Sequence, residues 1–160
     1  VEGDKISINE KIKSLTDELQ LNTLKTFLLD SYQSNPFWKK INNLELFEMT
    51  ENNLLRIVIE PSNGSKMAKY LNNKFKYYID WCGSLFWVEV PAKKNMKVKE
   101  IKKIAIDFGG YLTIVKTSFD YDFDETIFTV DDVRLMISKK IKESFDPKRI
   151  LNPGKMYRGI

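Results

Sequence analysis

Between Leu54 and Lys116 the apolar residues switch repeatedly between a two-residue period and a three-to-four-residue period. That order of periods restricts the fold more than any other feature of the chain. Leu54 to Glu60 is rich in Leu, Ile and Val and stops at Pro61, as a strand does. Ser62-Asn63-Gly64-Ser65 then turns the chain into a helix reaching about Asn73, with Met67, Tyr70 and Leu71 on one side. Lys76 to Trp81 and Ser84 to Val90 read as two strands linked through Cys82-Gly83, and Pro91 ends the second. Lys97 to Phe108 is a helix with Val98, Ile101, Ile104 and Ala105 facing inward and Lys97, Lys99, Lys102 and Lys103 facing water. Gly109-Gly110 suits its C-cap, and Tyr111 to Lys116 is a fourth strand. The order β-α-β-β-α-β predicts an α+β fold: a ferredoxin-like antiparallel sheet with both helices on one face.

The flanks are less regular. Val1-Glu2-Gly3 reads as the end of a strand, and a start at Val1 rather than Met is expected of a piece of a longer polypeptide. Ser7 to Leu19 is helix-like, with Ile8, Ile12, Leu15 and Leu19 in step and Ser7 with Glu10 as a capping box. Thr23 to Leu29 and Leu44 to Met49 are expected as short strands, and Asn35-Pro36 as the opening of a short helix whose Phe37 and Trp38 join the core. Residues 1–50 are thus expected to form an N-terminal partial repeat beside the core of residues 51–118. Residues 119–160 add a loop, a helix and a tail. Phe119 to Glu125 alternates aromatic residues with Asp but lacks the Gly and Glu spacing of a calcium loop. Asp131 to Lys142 is the last helix, with Val133, Ile137 and Ile141 expected to be buried.

The tail turns twice, at Asp146-Pro147 and at Asn152-Pro153-Gly154, because each Pro biases the preceding residue away from the helical region. Gly154 supplies turning freedom, and Ile150-Leu151 an apolar anchor. Phe145-Asp146-Pro147 followed by Ile150-Leu151-Asn152-Pro153-Gly154-Lys155-Met156-Tyr157 resembles the end of FAD-linked oxidases of the vanillyl-alcohol oxidase class. Within that class the chain is most similar to the FAD-binding E subunit of bacterial glycolate oxidase. The likeness continues through Phe37-Trp38, Leu55 to Pro61, Asp80-Trp81-Cys82-Gly83, Leu85 to Val88 and Gly109 to Val115. It implies the C-terminal cap of an FAD-dependent 2-hydroxy-acid (glycolate) oxidase or dehydrogenase subunit. FAD would be held mainly by an N-terminal domain, electrons would leave through an iron-sulfur partner subunit, and this chain alone would be inactive. A cytoplasmic location follows, at the inner membrane only through partner subunits. The alternative is a non-catalytic ferredoxin-like module for subunit assembly or ligand sensing.

Composition narrows the chemistry. There is no His, which removes His-based acid/base catalysis, His-activated nucleophiles and the usual zinc sites. The single Cys82 excludes an internal disulfide and reads as a small buried side chain. No apolar run is long enough to span a bilayer, and neither a P-loop nor a Gly-x-Gly-x-x-Gly is present. The net charge of +4 is spread among interspersed acids and lacks a nucleic-acid recognition motif, so nucleic acid is not an expected partner. Arg56 stands out as a cation in an apolar strand. With Lys116 on the neighbouring strand it would suit a carboxylate; the competing reading pairs it with Glu89 or Asp80. Trp81 is read either as packing, with Trp87, or as a platform for flavin or substrate. The substrate-binding candidates are therefore Arg56, Lys116 and Trp81. By the resemblance, Asn152, Gly154 and Lys155 would form an FAD-facing edge, against a purely structural hook. No residue is assigned a catalytic or metal-binding role.

Overall fold

The computed structural model describes residues 3–19, 27–47, 51–94, 96–118 and 127–155. It divides into two compact units, Val1–Leu44 and Glu45–Ile160. The first contains helices α1 (Lys5–Glu18) and α2 (Ser31–Asn42). Asp4 caps α1, its carboxylate accepting from Ile6 N and Ser7 N, in place of the expected Ser7–Glu10 box. Helix α2 starts five residues before Pro36, at a reciprocal capping box formed by Asp30 and Gln33. Pro36 lies inside the helix, and Phe37 and Trp38 are exposed rather than core.

The second unit contains β1 (Asn53–Val58), α3 (Gly64–Leu71), β2 (Lys76–Asp80), β3 (Leu85–Val90), α4 (Met96–Asp107), β4 (Tyr111–Lys116) and α5 (Asp132–Phe145). The strands form one sheet in the order β2-β3-β1-β4, with every neighbouring pair antiparallel. This is the ferredoxin-like order that the periods predicted. Leu55, Ile57, Ile59, Phe86, Val88, Val90, Leu112 and Ile114 face Met67 and Leu71 of α3 and Val98, Ile101 and Ala105 of α4 in a single core. Each such burial contributes about 1.5–3 kcal/mol for a large aliphatic or aromatic side chain.

Two glycines allow the helices to approach the sheet. A Cβ on Gly110 would lie 2.0 Å from the Val58 carbonyl oxygen, and one on Gly64 would lie 2.5 Å from that of Gly83. Gly109, at φ 72°, ends α4, and Gly110 N donates to the Ala105 carbonyl, as a Schellman-type cap requires. Buried Asn53 ties the strand ends together, its amide oxygen accepting from Ser118 N at 2.9 Å. The outer edge of β4 is covered by residues 127–129: Ile114 N donates to Ile127 O and Thr129 N to Leu112 O.

Several further expectations are corrected. Val133, Ile137 and Ile141 of α5 are exposed, because the ferredoxin-like core is completed by α3 and α4 and needs no third helix. The link between β2 and β3 is the four residues 81–84, so Trp81 lies on a turn and not in a strand. Cys82 on that turn is exposed. The expected strand at Leu44 to Met49 is a turn over residues 44–47, and residues 27–29 are not assigned to a strand. The remainder of those two segments, Val1-Glu2, the Phe119–Glu125 alternation, and Met156 with Tyr157 lie outside the described residues.

Candidate functional site

In the second unit α3 and α4 pack on one face of the sheet, and among the described residues of that unit the other face is helix-free. Strand alternation and pairing put Leu54, Arg56 and Val58 of β1 there, with Leu85, Trp87 and Glu89 of β3 and Tyr78 of β2. A row runs across this face: Thr113, Arg56, Trp87 and Tyr78 are successive register partners. Phe47 covers one end by stacking on Tyr78, with ring centroids 5.4 Å apart, and Tyr78 lies 6.5 Å from Trp87. Burial, then the negative charge of Asp80, raises the Tyr78 phenol above its ordinary pKa, so it stays neutral.

Arg56 occupies the middle of the row. Its guanidinium carbon lies 5.2 Å from the centre of the Trp81 ring. At an exposed site such a contact contributes about 0.5–1 kcal/mol. The turn that delivers Trp81 is unusual: Trp81, Cys82 and Gly83 all have positive φ, at 50°, 51° and 93°. Asp80 fastens it, its carboxylate accepting from Trp81 N at 2.7 Å. Among the described residues no carboxylate lies within ion-pair distance of Arg56. Glu89 instead accepts from Asn52 Nδ2 and lies 4.0 Å from Lys76 Nζ. The structure therefore brings Arg56 and Trp81 together and leaves the Glu89 and Asp80 pairings unmade.

Lys116 is paired with Leu54 across a bulge, not with Arg56, whose partner on β4 is Thr113. Lys116 shares the helix-free face with Arg56 but stands farther along the strands, with backbones roughly 7–8 Å apart on the diagonal. Sequence reasoning missed Thr113 and Tyr78 as members of the row. The β1–β4 and β2–β3 registers find them, and those registers are fixed by the bulge and by the four-residue turn.

The C-terminal candidates lie elsewhere. Asn152 (φ 45°), Gly154 (φ 69°) and Lys155 form an exposed turn closed by Lys155 N donating to the Asn152 carbonyl at 3.2 Å. Nothing lies within 4 Å of the Cβ position of Gly154. These residues therefore fit an edge contact to a group such as FAD, with an amide, an ammonium and open backbone, but they do not enclose one. A cavity of about 410 Å³ lined by Asn73, Lys74, Phe75, Lys76, Glu89 and Pro91 is separate from the Arg56–Trp81 pair. Among the described residues no helix is long and apolar enough to cross a membrane.

Comparison with known proteins gives two matches. Residues 125–156 match the family model of FAD linked oxidases, C-terminal domain. Over 122 residues, 76% of this chain, the sequence is 27% identical to glycolate oxidase subunit GlcE of Escherichia coli (strain K12). The chain spans 31% of the length of that relative. No solved structure gives a significant match. The family match falls on α5 and the tail, and the longer likeness takes in the sheet as well. The chain is thus similar to FAD linked oxidases: to their C-terminal domain over residues 125–156, and to GlcE over the longer stretch.

Proposed function

We propose that this chain is the cap of an FAD-dependent 2-hydroxy-acid oxidase or dehydrogenase subunit, with glycolate as the type of substrate. The observation that carries this reading is Arg56: a central-strand cation on the helix-free face, under Trp81 and without an ion-pair partner among the described residues. A carboxylate matches a guanidinium in bidentate fashion, and Trp81 shields one side of the pair from water. Lys116 adds positive charge on the same face.

When bound, FAD would accept the hydride from the carbon that bears the substrate hydroxyl. The rest is the share of this chain. Arg56 binds and orients the carboxylate, and Trp81 limits water. Asn152, Gly154 and Lys155 meet the cofactor edge. The row around Arg56 is Thr113, Arg56, Trp87 and Tyr78, and the share proposed for it is binding and orientation. In this division residues 51–118 face the substrate, residues 119–160 dock, and residues 1–50 extend the cap. FAD is held mainly by a domain outside this chain, and other subunits, one of them iron-sulfur, take the electrons. The chain alone is inactive, and the assembly sits in the cytoplasm or on the inner membrane through its partners.

A second reading, a non-catalytic module for assembly, is favoured by the exposed apolar side of α5. Flavin absorbance separates the two. The chain is compared alone and joined to the part of GlcE that the alignment leaves uncovered. The cap reading expects flavin bands only in the joined protein, with Arg56→Met keeping flavin and losing carboxylate binding. A joined protein that is folded by circular dichroism but colourless favours assembly.

A further inference from the structure

The terminal segment inverts the usual distribution of polar and apolar groups. Asp146 is buried at 7% exposure, while Ile150 and Leu151 are 69% and 64% exposed. The reason is local. One carboxylate oxygen of Asp146 accepts from Ile150 N at 3.0 Å, and the other accepts from Leu151 N at 2.8 Å. Lys142 Nζ lies 2.7 Å from that second oxygen and also donates to the Leu151 carbonyl. Arg149 N donates to the Asp146 carbonyl at 2.9 Å. A loop that exposes two large aliphatic side chains gains nothing from their burial, so charge-assisted hydrogen bonds must hold its shape. Four residues on α5 (Val133, Met136, Ile137 and Ile141) present further exposed apolar surface on the helix that carries Lys142.

We infer that Asp146, with Lys142, is a positioning residue. It closes the loop 146–151 so that Ile150, Leu151 and the turn Asn152–Lys155 are preset to dock on the flavin-carrying domain. The occupant is argued from extent: the match to the C-terminal domain of FAD linked oxidases ends on this loop and turn, and the chain spans only 31% of glycolate oxidase subunit GlcE. Presetting the loop removes the ordering cost that a frayed tail would add on association. The identity of the docking domain rests on the function proposed above; the clamp itself does not.

The test uses amide exchange on the 160-residue chain and FAD retention by the chain joined to the uncovered part of GlcE. Asp146→Asn removes the charge and turns an NH2 toward one of the two amides. Exchange at Ile150 and Leu151 is expected to rise by roughly tenfold or more, with β1 and β3 unchanged, and FAD retention to weaken by a similar factor. Lys142→Arg should preserve both properties and Lys142→Met lose both. Unchanged exchange in Asp146→Asn overturns the clamp, whatever the flavin result. Faster exchange with unaltered FAD retention overturns the docking role. A folded wild-type joined protein without flavin overturns the proposed function and the docking role together, and the exchange arm still decides the clamp.

Discussion

Cys82 adopts φ 51° and ψ 37°, a left-handed conformation that costs a residue with a Cβ roughly 1–2 kcal/mol. Glycine there would lose that cost but would have more unfolded freedom to surrender, about 0.5–1 kcal/mol. Cys82→Gly is therefore expected to stabilise the chain by about 0.5–1 kcal/mol, read from the urea midpoint. Its neighbour Trp81 shares the conformation and must keep its ring to cover Arg56, so the strain there has a use that Cys82 lacks. Asp146 yields a pH prediction. The Lys142 ammonium and then the Ile150 and Leu151 amides hold its carboxyl at about 2, below its ordinary 3.8. A depressed carboxyl contributes order above its unfolded value and loses it as pH falls through the folded one. Protection of the Ile150 and Leu151 amides should be complete above pH 3.8 and disappear as pH falls through about 2. Both residues were visible in the sequence as turn positions. Their φ angles and hydrogen bonds were not, because a Pro or Gly marks where a chain turns and leaves open what the turn is fastened to.

Among the elements, the four strands and the two helices between them were legible because each shows its own period to a common core. Pro61, Pro91 and Gly109 punctuate them. Helix α5 was legible as a helix and misread in its surroundings. Its stripe repeats at helical spacing, as that of α4 does, yet Ile101 is fully buried and Ile137 is 47% exposed. Periodicity reports that a face is apolar and is silent on what covers it. The two helices should accordingly respond differently to substitution. Ile101→Ala is expected to cost about 2–5 kcal/mol in urea unfolding, as for a core truncation, whereas Ile137→Ser should change stability by less than about 0.5 kcal/mol. A large loss from Ile137→Ser would mean that α5 is packed in solution.

At the scale of the whole molecule, the candidate site was half legible. Arg56 and Trp81, separated by 25 positions, were each singled out within expected strands, and the fold, with Trp81 moved onto the turn, sets them 5.2 Å apart. For Lys116 the sequence offered only a neighbouring strand and no register; the register includes a bulge between Leu54 and Leu55 that pairs it with Leu54, and bulges leave no periodic trace. The central position of β1 has a consequence for selectivity. The backbone of Arg56 is laced to β3 on one side and β4 on the other, so an arriving anion meets a charge whose seat cannot travel to greet it. Acids of different length would then be sorted by where their far ends fall, and a mismatch would have to be absorbed by the guest rather than by the host.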